Sequence, residues 1–95
     1  MLKNYESMII IVPTFNEEDA TKENEKILNF IKENGGEIIN TDQWGKKRFA
    51  YQIKKMDDGF YFVNYYKFDT ENLSKLENYL ILNESVIGHN LLVTE

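Results

Sequence analysis

The sequence predicts an α+β fold in which two helices pack on one face of a four-stranded antiparallel sheet. Three observations support this prediction: apolar, β-branched segments alternate with two amphipathic ones, a single proline and five glycines mark the breaks, and the chain has only 95 residues. A chain of this length is expected to form one domain, here residues 1–95. Its hydrophobic content of 42% and aromatic content of 14% are sufficient for one core.

The first half of the chain predicts a strand followed by a helix. The strand is expected over Tyr5–Val12, which is β-branched on both faces near its end, and Pro13 terminates it. Asn16 is expected to cap a helix running from about Glu17 to Asn34, with acidic residues in the first turn, where they favour the helix dipole. Gly35 and Gly36 end that helix. Its apolar side is formed by Ile27, Leu28, Phe30 and Ile31.

A long second strand is predicted from Glu37 to Lys55, with a bulge at Gly45. In its second half, apolar and polar residues alternate, which predicts one buried and one exposed face. Phe49 and Tyr51 have the same strand parity and are expected in the core.

The remainder of the chain predicts a hairpin, a helix and a closing strand. The tripeptide at residues 57–59, Asp-Asp-Gly, is a turn signal, and Phe60–Phe68 is expected to be the third strand. Asp69 or Thr70 is expected to cap the second helix, and Val86–Thr94 to form the last strand. The order β-α-β-β-α-β is that of the ferredoxin-like fold, which leaves one sheet face free. The apolar stripe of the second helix is formed by Leu73, Leu76 and Leu80.

Residues 44–55, from Trp44 to Lys55, contain 5 of the 11 Lys and Arg residues and no acidic residue. We call them the basic segment. The remaining chain has 6 basic residues against 16 acidic ones, and the net charge is -5. Cations interleaved with aromatic residues suit a phosphate backbone and exposed bases. Because the acidic remainder repels nucleic acid, we expect weak binding unless another molecule helps.

Composition and motifs disfavour several other functions. There is no cysteine, which excludes disulfides and thiolate metal sites. The longest strongly apolar run, Met8–Val12, is too short to cross a bilayer, and the first residues lack a signal-peptide layout. His89 is the only histidine, and no nucleophile elbow or phosphate-binding glycine loop occurs, so we expect no enzymatic activity, cofactor or metal. An acylphosphatase is disfavoured because the only arginine, Arg48, lies in the middle of the chain.

The basic segment resembles the signature of the bacterial ribosomal protein S6 family, with Gln52 in place of the usual proline. Arginines common in that family are replaced here by Leu2 and Gly88. The resemblance implies a non-enzymatic, cytoplasmic component of the small ribosomal subunit. It also implies binding to small-subunit ribosomal RNA jointly with a small basic protein, ribosomal protein S18, and no small-molecule substrate. Weaker resemblances extend over Lys3–Glu6, Gly59–Tyr61 and Glu84–Ile87.

Candidate contact residues follow from the resemblance and the charge pattern together. Arg48 is the strongest candidate, because guanidinium can both bridge phosphates and stack on a base. Trp44 is expected either to stack on a base or partner or to cover the end of the sheet. Tyr5 is expected either to contact RNA or a partner or to pack on the sheet. Two aromatic residues of the third strand, Phe60 and Phe62, are expected to contact the protein partner. The candidate RNA-binding residues are Lys3, Tyr5, Trp44, Lys46, Lys47 and Arg48.

Two alternatives share the predicted fold. Residues 59–65 partly fit the third-strand motif of RNA-recognition domains, which stack bases on sheet aromatics. However, Asp58 stands where a basic residue is expected, and the first strand offers no matching aromatic residue. The other alternative is a regulatory module that senses a small molecule, which a stable homodimer would favour. A monomer that pairs with a small basic protein would favour the ribosomal function.

Overall fold

The computed structural model describes residues 2–93 and confirms the predicted ferredoxin-like architecture. All neighbouring strands of the single four-stranded sheet are antiparallel, in the order β2-β3-β1-β4. No helix within the described range is long and apolar enough to cross a membrane. The elements are β1 (Leu2–Ile11), α1 (Glu17–Glu33), β2 (Glu37–Ile53), β3 (Met56–Asp69), a short 3-10 turn (Thr70–Asn72), α2 (Leu73–Leu82) and β4 (Val86–Val93).

Local side chains fix the ends of the helices much as the sequence predicts. The Asn16 side chain accepts a hydrogen bond of 2.7 Å from the backbone N–H of Asp19, which caps α1. Gly35 follows the helix with a φ of 87°, a conformation that glycine adopts without strain. Asp69 accepts a hydrogen bond of 2.9 Å from the N–H of Glu71 at the start of the 3-10 turn.

The core lies between the two helices and one face of the sheet, which we call the helix face. Paired residues of β1 and β3 share that face, for example Tyr5 with Tyr66 and Ile9 with Phe62. The opposite face carries no helix, and we call it the open face. Since side chains alternate along a strand, every second residue of each central strand belongs to the open face. The buried apolar core residues of the helices are Ala20, Ile27, Ile31, Leu76 and Leu80.

The β2–β3 turn lies earlier than predicted. Lys54 and Lys55 connect the strands with φ values of 48° and 67°, whereas residues 57–59 belong to β3. Gly59 is required there by packing, because a Cβ at that position would lie 2.8 Å from Ile10 Cγ2 and 2.9 Å from the Ile11 carbonyl oxygen. The predicted bulge in β2 is confirmed: Gly45 has a φ of 81°, and the pairing register shifts beside it.

The hairpin extends beyond the strand that neighbours it. Ile11, the last residue of β1, pairs with Phe60, so the part of β3 before Phe60 has no β1 partner. Tyr51 is therefore 87% exposed, which contradicts its predicted place in the core, while Phe49 is partly buried against the core. The last residue of the predicted closing strand, Thr94, lies outside the described residues.

Candidate nucleic-acid interface

The basic segment forms the outer strand of the hairpin at one edge of the sheet. Lys46 pairs across the strands with Phe60, and its ammonium group lies 5.6 Å from the centre of that ring. The same nitrogen donates a hydrogen bond of 3.3 Å to the carbonyl oxygen of Pro13 and lies 4.0 Å from Asp58 Oδ2. Lys46 is thus held against the body of the protein, with about half of its side chain accessible to solvent.

The next two cations are oriented differently. Lys47 and Arg48 are both exposed, and within residues 2–93 neither forms a salt bridge. Successive residues of a strand point to opposite faces, so Lys47 lies on the open face and Arg48 on the helix-face side of the hairpin. The pair therefore presents two charges that can reach around the edge of the sheet to a phosphate backbone.

Trp44 lies beside these cations on the open face. Its indole stacks on the ring of Tyr61, with the ring centres 6.4 Å apart and the planes 9° from parallel. Phe49 packs edge-on against the same Tyr61 ring at 5.8 Å. Nearly half of the Trp44 surface stays exposed, so this indole both covers the end of the sheet and offers a surface to a base.

Acidic residues across the hairpin reduce the local positive charge. Asp58 pairs with Arg48 in the register, and the Asp57 carboxylate accepts a hydrogen bond of 3.0 Å from the side chain of Gln52. The sequence predicts a turn at residues 57–59, which would place these carboxylates in the loop after β2 instead of within β3. Their position opposite the basic segment lowers the positive potential that this edge of the sheet presents.

Lys3 and Tyr5 lie near the other end of the sheet. Lys3 pairs with Phe68 and Tyr5 with Tyr66, whereas Lys46 pairs with Phe60. Six residues of β3 separate the Tyr5 and Lys46 pairs, which is about 20 Å of extended chain. Lys3 is half-buried and Tyr5 is only 2% exposed. The structure therefore groups Trp44, Lys46, Lys47 and Arg48 and separates the other two candidates from them.

The two aromatic residues predicted to contact a protein partner are in the core. Phe60 is 5% exposed and Phe62 is 1% exposed, because both lie on the helix face of β3. Neither side chain is available on the surface of this structure. Strand parity gives the physical reason: Tyr61, Val63 and Tyr65 are the β3 residues that face the open side.

A second group on the open face was not singled out from the sequence. Tyr65 lies opposite Glu6 of β1, and Asp42 pairs with the preceding open-face residue of β3, Val63. Partial burial of Tyr65 raises the pKa of its hydroxyl, and the carboxylates of Asp42 and Glu6 raise it further. Three strands bring these groups together, so the linear sequence gives no direct sign of the cluster.

The chain is similar over almost its whole length to ribosomal proteins. The family model described as "Ribosomal protein S6" matches residues 4–92. The small ribosomal subunit protein bS6 of Carboxydothermus hydrogenoformans is 37% identical, covering 94% of this chain and 93% of that protein. The Mycobacterium tuberculosis protein of the same name is 36% identical, and the match covers 99% of this chain and 98% of that protein.

The fold agrees with these sequence similarities. The crystal structure of the 30S ribosomal protein S6 from Thermotoga maritima superposes with a TM-score of 0.92 at 34% identity, covering 99% of this chain and 89% of that one. The residues that the family model matches include the basic segment, all of β2 and β3, and all but the outermost residues of β1 and β4. The chain therefore belongs to the ribosomal protein S6 family and, as a member of that family, is a structural rather than an enzymatic protein.

Proposed function

We propose that this chain is a structural component of the small ribosomal subunit that binds small-subunit ribosomal RNA jointly with the small basic protein S18. The observation that carries the proposal is the exposed group formed by Trp44, Lys47 and Arg48 at the hairpin, in a chain whose relatives are small-subunit proteins. Lysine and arginine supply phosphate contacts, and the half-exposed indole supplies a stacking surface.

Lys46 lies beside this group of three, and the four residues have different roles in the proposal. Lys47 and Arg48 contact phosphates directly, because both are exposed. Lys46 contributes a charge that is already partly engaged by the Pro13 carbonyl and Asp58. Trp44 stacks on an unpaired base through the part of its indole that Tyr61 leaves free.

Lys3 is proposed as a separate RNA contact at the far end of the sheet. The buried side chains of Tyr5, Phe60 and Phe62 support both proposed contact regions by packing under them rather than by touching a ligand. This division follows from their burial on the helix face.

The partner compensates for the unfavourable charge of the chain. With a net charge of -5, the isolated chain repels RNA at distances beyond direct contact. A basic protein bound beside the hairpin removes that repulsion and adds its own phosphate contacts. Tight binding is therefore expected only when both proteins are present.

The experiment is a titration of small-subunit ribosomal RNA with the chain alone, S18 alone and an equimolar mixture, near physiological salt. We expect weak binding by the chain alone and binding by the mixture that is tighter than by either protein. The variant Lys47→Gln/Arg48→Gln is expected to weaken binding of the mixture by about tenfold or more. The matched control, Lys32→Gln/Lys75→Gln, removes two exposed helical cations and should change it by less than about twofold.

Two results would contradict the proposal. One is binding by the isolated chain as tight as binding by the mixture. The other is equal weakening by the hairpin variant and the helix control, which would show a general charge effect rather than a contact at the hairpin.

A further inference from the structure

The bulge in β2 turns two polar side chains of that strand toward the start of α1. The pairing with β3 shifts between Gln43 and Gly45, so Trp44 is the extra residue of the bulge. In a regular strand, residues three positions apart point to opposite faces. Because the bulge adds one residue, Gln43 and Lys46 both pair with core residues of β3 and lie on the helix face, whereas Trp44 lies on the open face.

Each of these two side chains donates a hydrogen bond to the part of the chain where α1 begins. The Gln43 amide donates one of 3.1 Å to the carboxylate of Glu17, the first residue of α1. The Lys46 ammonium donates one of 3.3 Å to the carbonyl oxygen of Pro13, which lies between β1 and α1. The bonded residues are 26 and 33 positions apart in the sequence, so both bonds attach the hairpin to the body of the protein. We call Gln43 and Lys46 the clamp residues.

We propose that Lys46 is a positioning residue for RNA binding. It holds the β2–β3 hairpin in the orientation that presents Lys47 and Arg48, and it does not contact RNA itself. Gln43 assists it as the second clamp residue. This inference rests on the proposed function, and it gives Lys46 a task different from that of the two cations that follow it.

The clamp lies where the hairpin loses its neighbouring strand. Lys46 pairs with Phe60, the residue of β3 at which the pairing with β1 ends. Beyond this pair, Phe49 and Ile53 pack against the core, but apolar contacts are not directional. Hydrogen bonds depend on the angle between donor and acceptor, so the clamp adds a directional restraint. It therefore determines where the cations beyond it lie.

The ammonium group of Lys46 is already engaged within the protein. It lies 3.3 Å from the Pro13 carbonyl oxygen, 4.0 Å from Asp58 Oδ2 and 5.6 Å from the centre of the Phe60 ring. Contact with a phosphate would require it to leave these partners. The next cation, Lys47, forms no salt bridge anywhere in residues 2–93 and can meet a phosphate without such a loss.

The test compares two double variants that leave the net charge of the chain unchanged. The clamp variant, Lys46→Met/Asp58→Asn, removes the ammonium group and its acidic neighbour. The matched control, Lys47→Met/Asp57→Asn, removes the adjacent cation and acid. Trp44 is the only tryptophan, so quenching of its fluorescence by acrylamide reports on the order of the hairpin in the chain alone. RNA binding is measured with the S18 mixture at four salt concentrations.

The two variants are expected to give opposite patterns. The clamp variant should raise the quenching constant of Trp44 by about 1.5-fold and weaken RNA binding by about fivefold, because the hairpin is no longer held in one orientation. Its slope of log affinity against log salt should change by less than about 0.5, since no phosphate contact is lost. The control should reduce that slope by about 1 and leave Trp44 quenching unchanged. Circular dichroism must show the same fold for both variants.

The outcomes separate this inference from the function on which it rests. If the clamp variant leaves either the Trp44 quenching or the RNA affinity unchanged, Lys46 has no positioning role and only the inference is overturned. A slope reduced by about 1 in that variant would show that Lys46 contacts a phosphate, which also overturns it. If the mixture with the unaltered chain does not bind RNA, the proposed function is wrong and the inference falls with it. If the clamp variant does not fold, Lys46→Met alone replaces it, and unchanged Trp44 quenching would then overturn the inference.

Discussion

Asn24 of α1 and Asn64 of β3 exchange two hydrogen bonds through their side-chain amides, at 3.1 and 2.9 Å, in the interior of the protein. Thr41 of β2 donates a third hydrogen bond of 3.1 Å to the same Asn64 oxygen. Asn24 is 3% exposed and Asn64 is fully buried. One polar group therefore ties the first helix to two strands and fixes its position on the sheet.

Asn24→Ala is expected to lower the free energy of unfolding by about 2 kcal/mol, because it leaves the buried Asn64 amide short of a donor and an acceptor. Urea denaturation measures the change. The control is Asn29→Ala, an exposed asparagine of the same helix, for which a change within about 0.5 kcal/mol is expected. Equal effects of the two substitutions would show that the amide pair adds nothing specific.

Tyr66 predicts a loss of stability in alkali. Burial raises the pKa of its hydroxyl from 10.0 to about 12, against the opposing effect of the 2.6 Å hydrogen bond with Ser7. Between these two pH values the unfolded chain loses the proton and the folded chain keeps it. The contribution of this hydroxyl to the free energy of unfolding is therefore fully present below pH 10. It falls by roughly 2–3 kcal/mol as the pH rises to 12.

Denaturation series in urea from pH 9 to pH 12 test this contribution. Tyr66→Phe should show a shallower decline than the unaltered chain, because the group that titrates is absent. Tyr51→Phe is the matched control, since Tyr51 is 87% exposed, and its decline should follow that of the unaltered chain. Parallel declines in all three proteins would assign the alkaline loss to other groups.

The turn at Lys54 and Lys55 predicts a stabilising substitution. Both residues have positive φ, at 48° and 67°, which asparagine and glycine adopt at lower cost than lysine. Lys54→Asn/Lys55→Gly is expected to raise the free energy of unfolding by about 1 kcal/mol. Lys54→Gln/Lys55→Gln removes the same charges and keeps the backbone strain. It should therefore change the free energy of unfolding by no more than about 0.5 kcal/mol. A gain in the glutamine variant would attribute the effect to charge.

Salt dependence distinguishes the proposed roles of Trp44 and its cationic neighbours. Trp44→Leu should weaken RNA binding by the two-protein mixture without altering its dependence on salt, because stacking releases no counterions. Lys47→Gln/Arg48→Gln should reduce the slope of log affinity against log salt by about 1 to 2. Filter binding at four salt concentrations measures both. An unchanged slope for the cation variant would exclude direct phosphate contacts by these residues.

The order of elements was predictable from the sequence, because the helix caps and the apolar periodicities act over a few residues. The hairpin turn was not, because its position depends on a tertiary contact. Asp58-Gly59 is a strong local turn signal, yet Gly59 is needed where β3 approaches Ile10 and Ile11. Tyr51 shows the same limit: alternation identifies a strand face, but the face is buried only where another element covers it.

The candidate site was predictable only where it is contiguous in the chain. The basic segment is one stretch of strand, so its charges and Trp44 could be read directly. Phe60 and Phe62 required knowledge of which strand parity faces the helices, and the structure buries both. The group of Glu6, Asp42 and Tyr65 on the open face is assembled from three strands, and the register that joins Glu6 to Tyr65 is visible only after folding.

The two outer strands of the sheet differ in a way that affects copies of the protein made in excess. β2 is interrupted by register shifts and carries cations, both of which discourage strand addition, whereas Val86–Val93 of β4 has no acidic or cationic residue and no proline. A free copy of the protein that is not part of an assembled complex thus exposes the uncharged outer edge of β4 to other copies. Strand addition at this edge is expected to rise with the concentration of free copies.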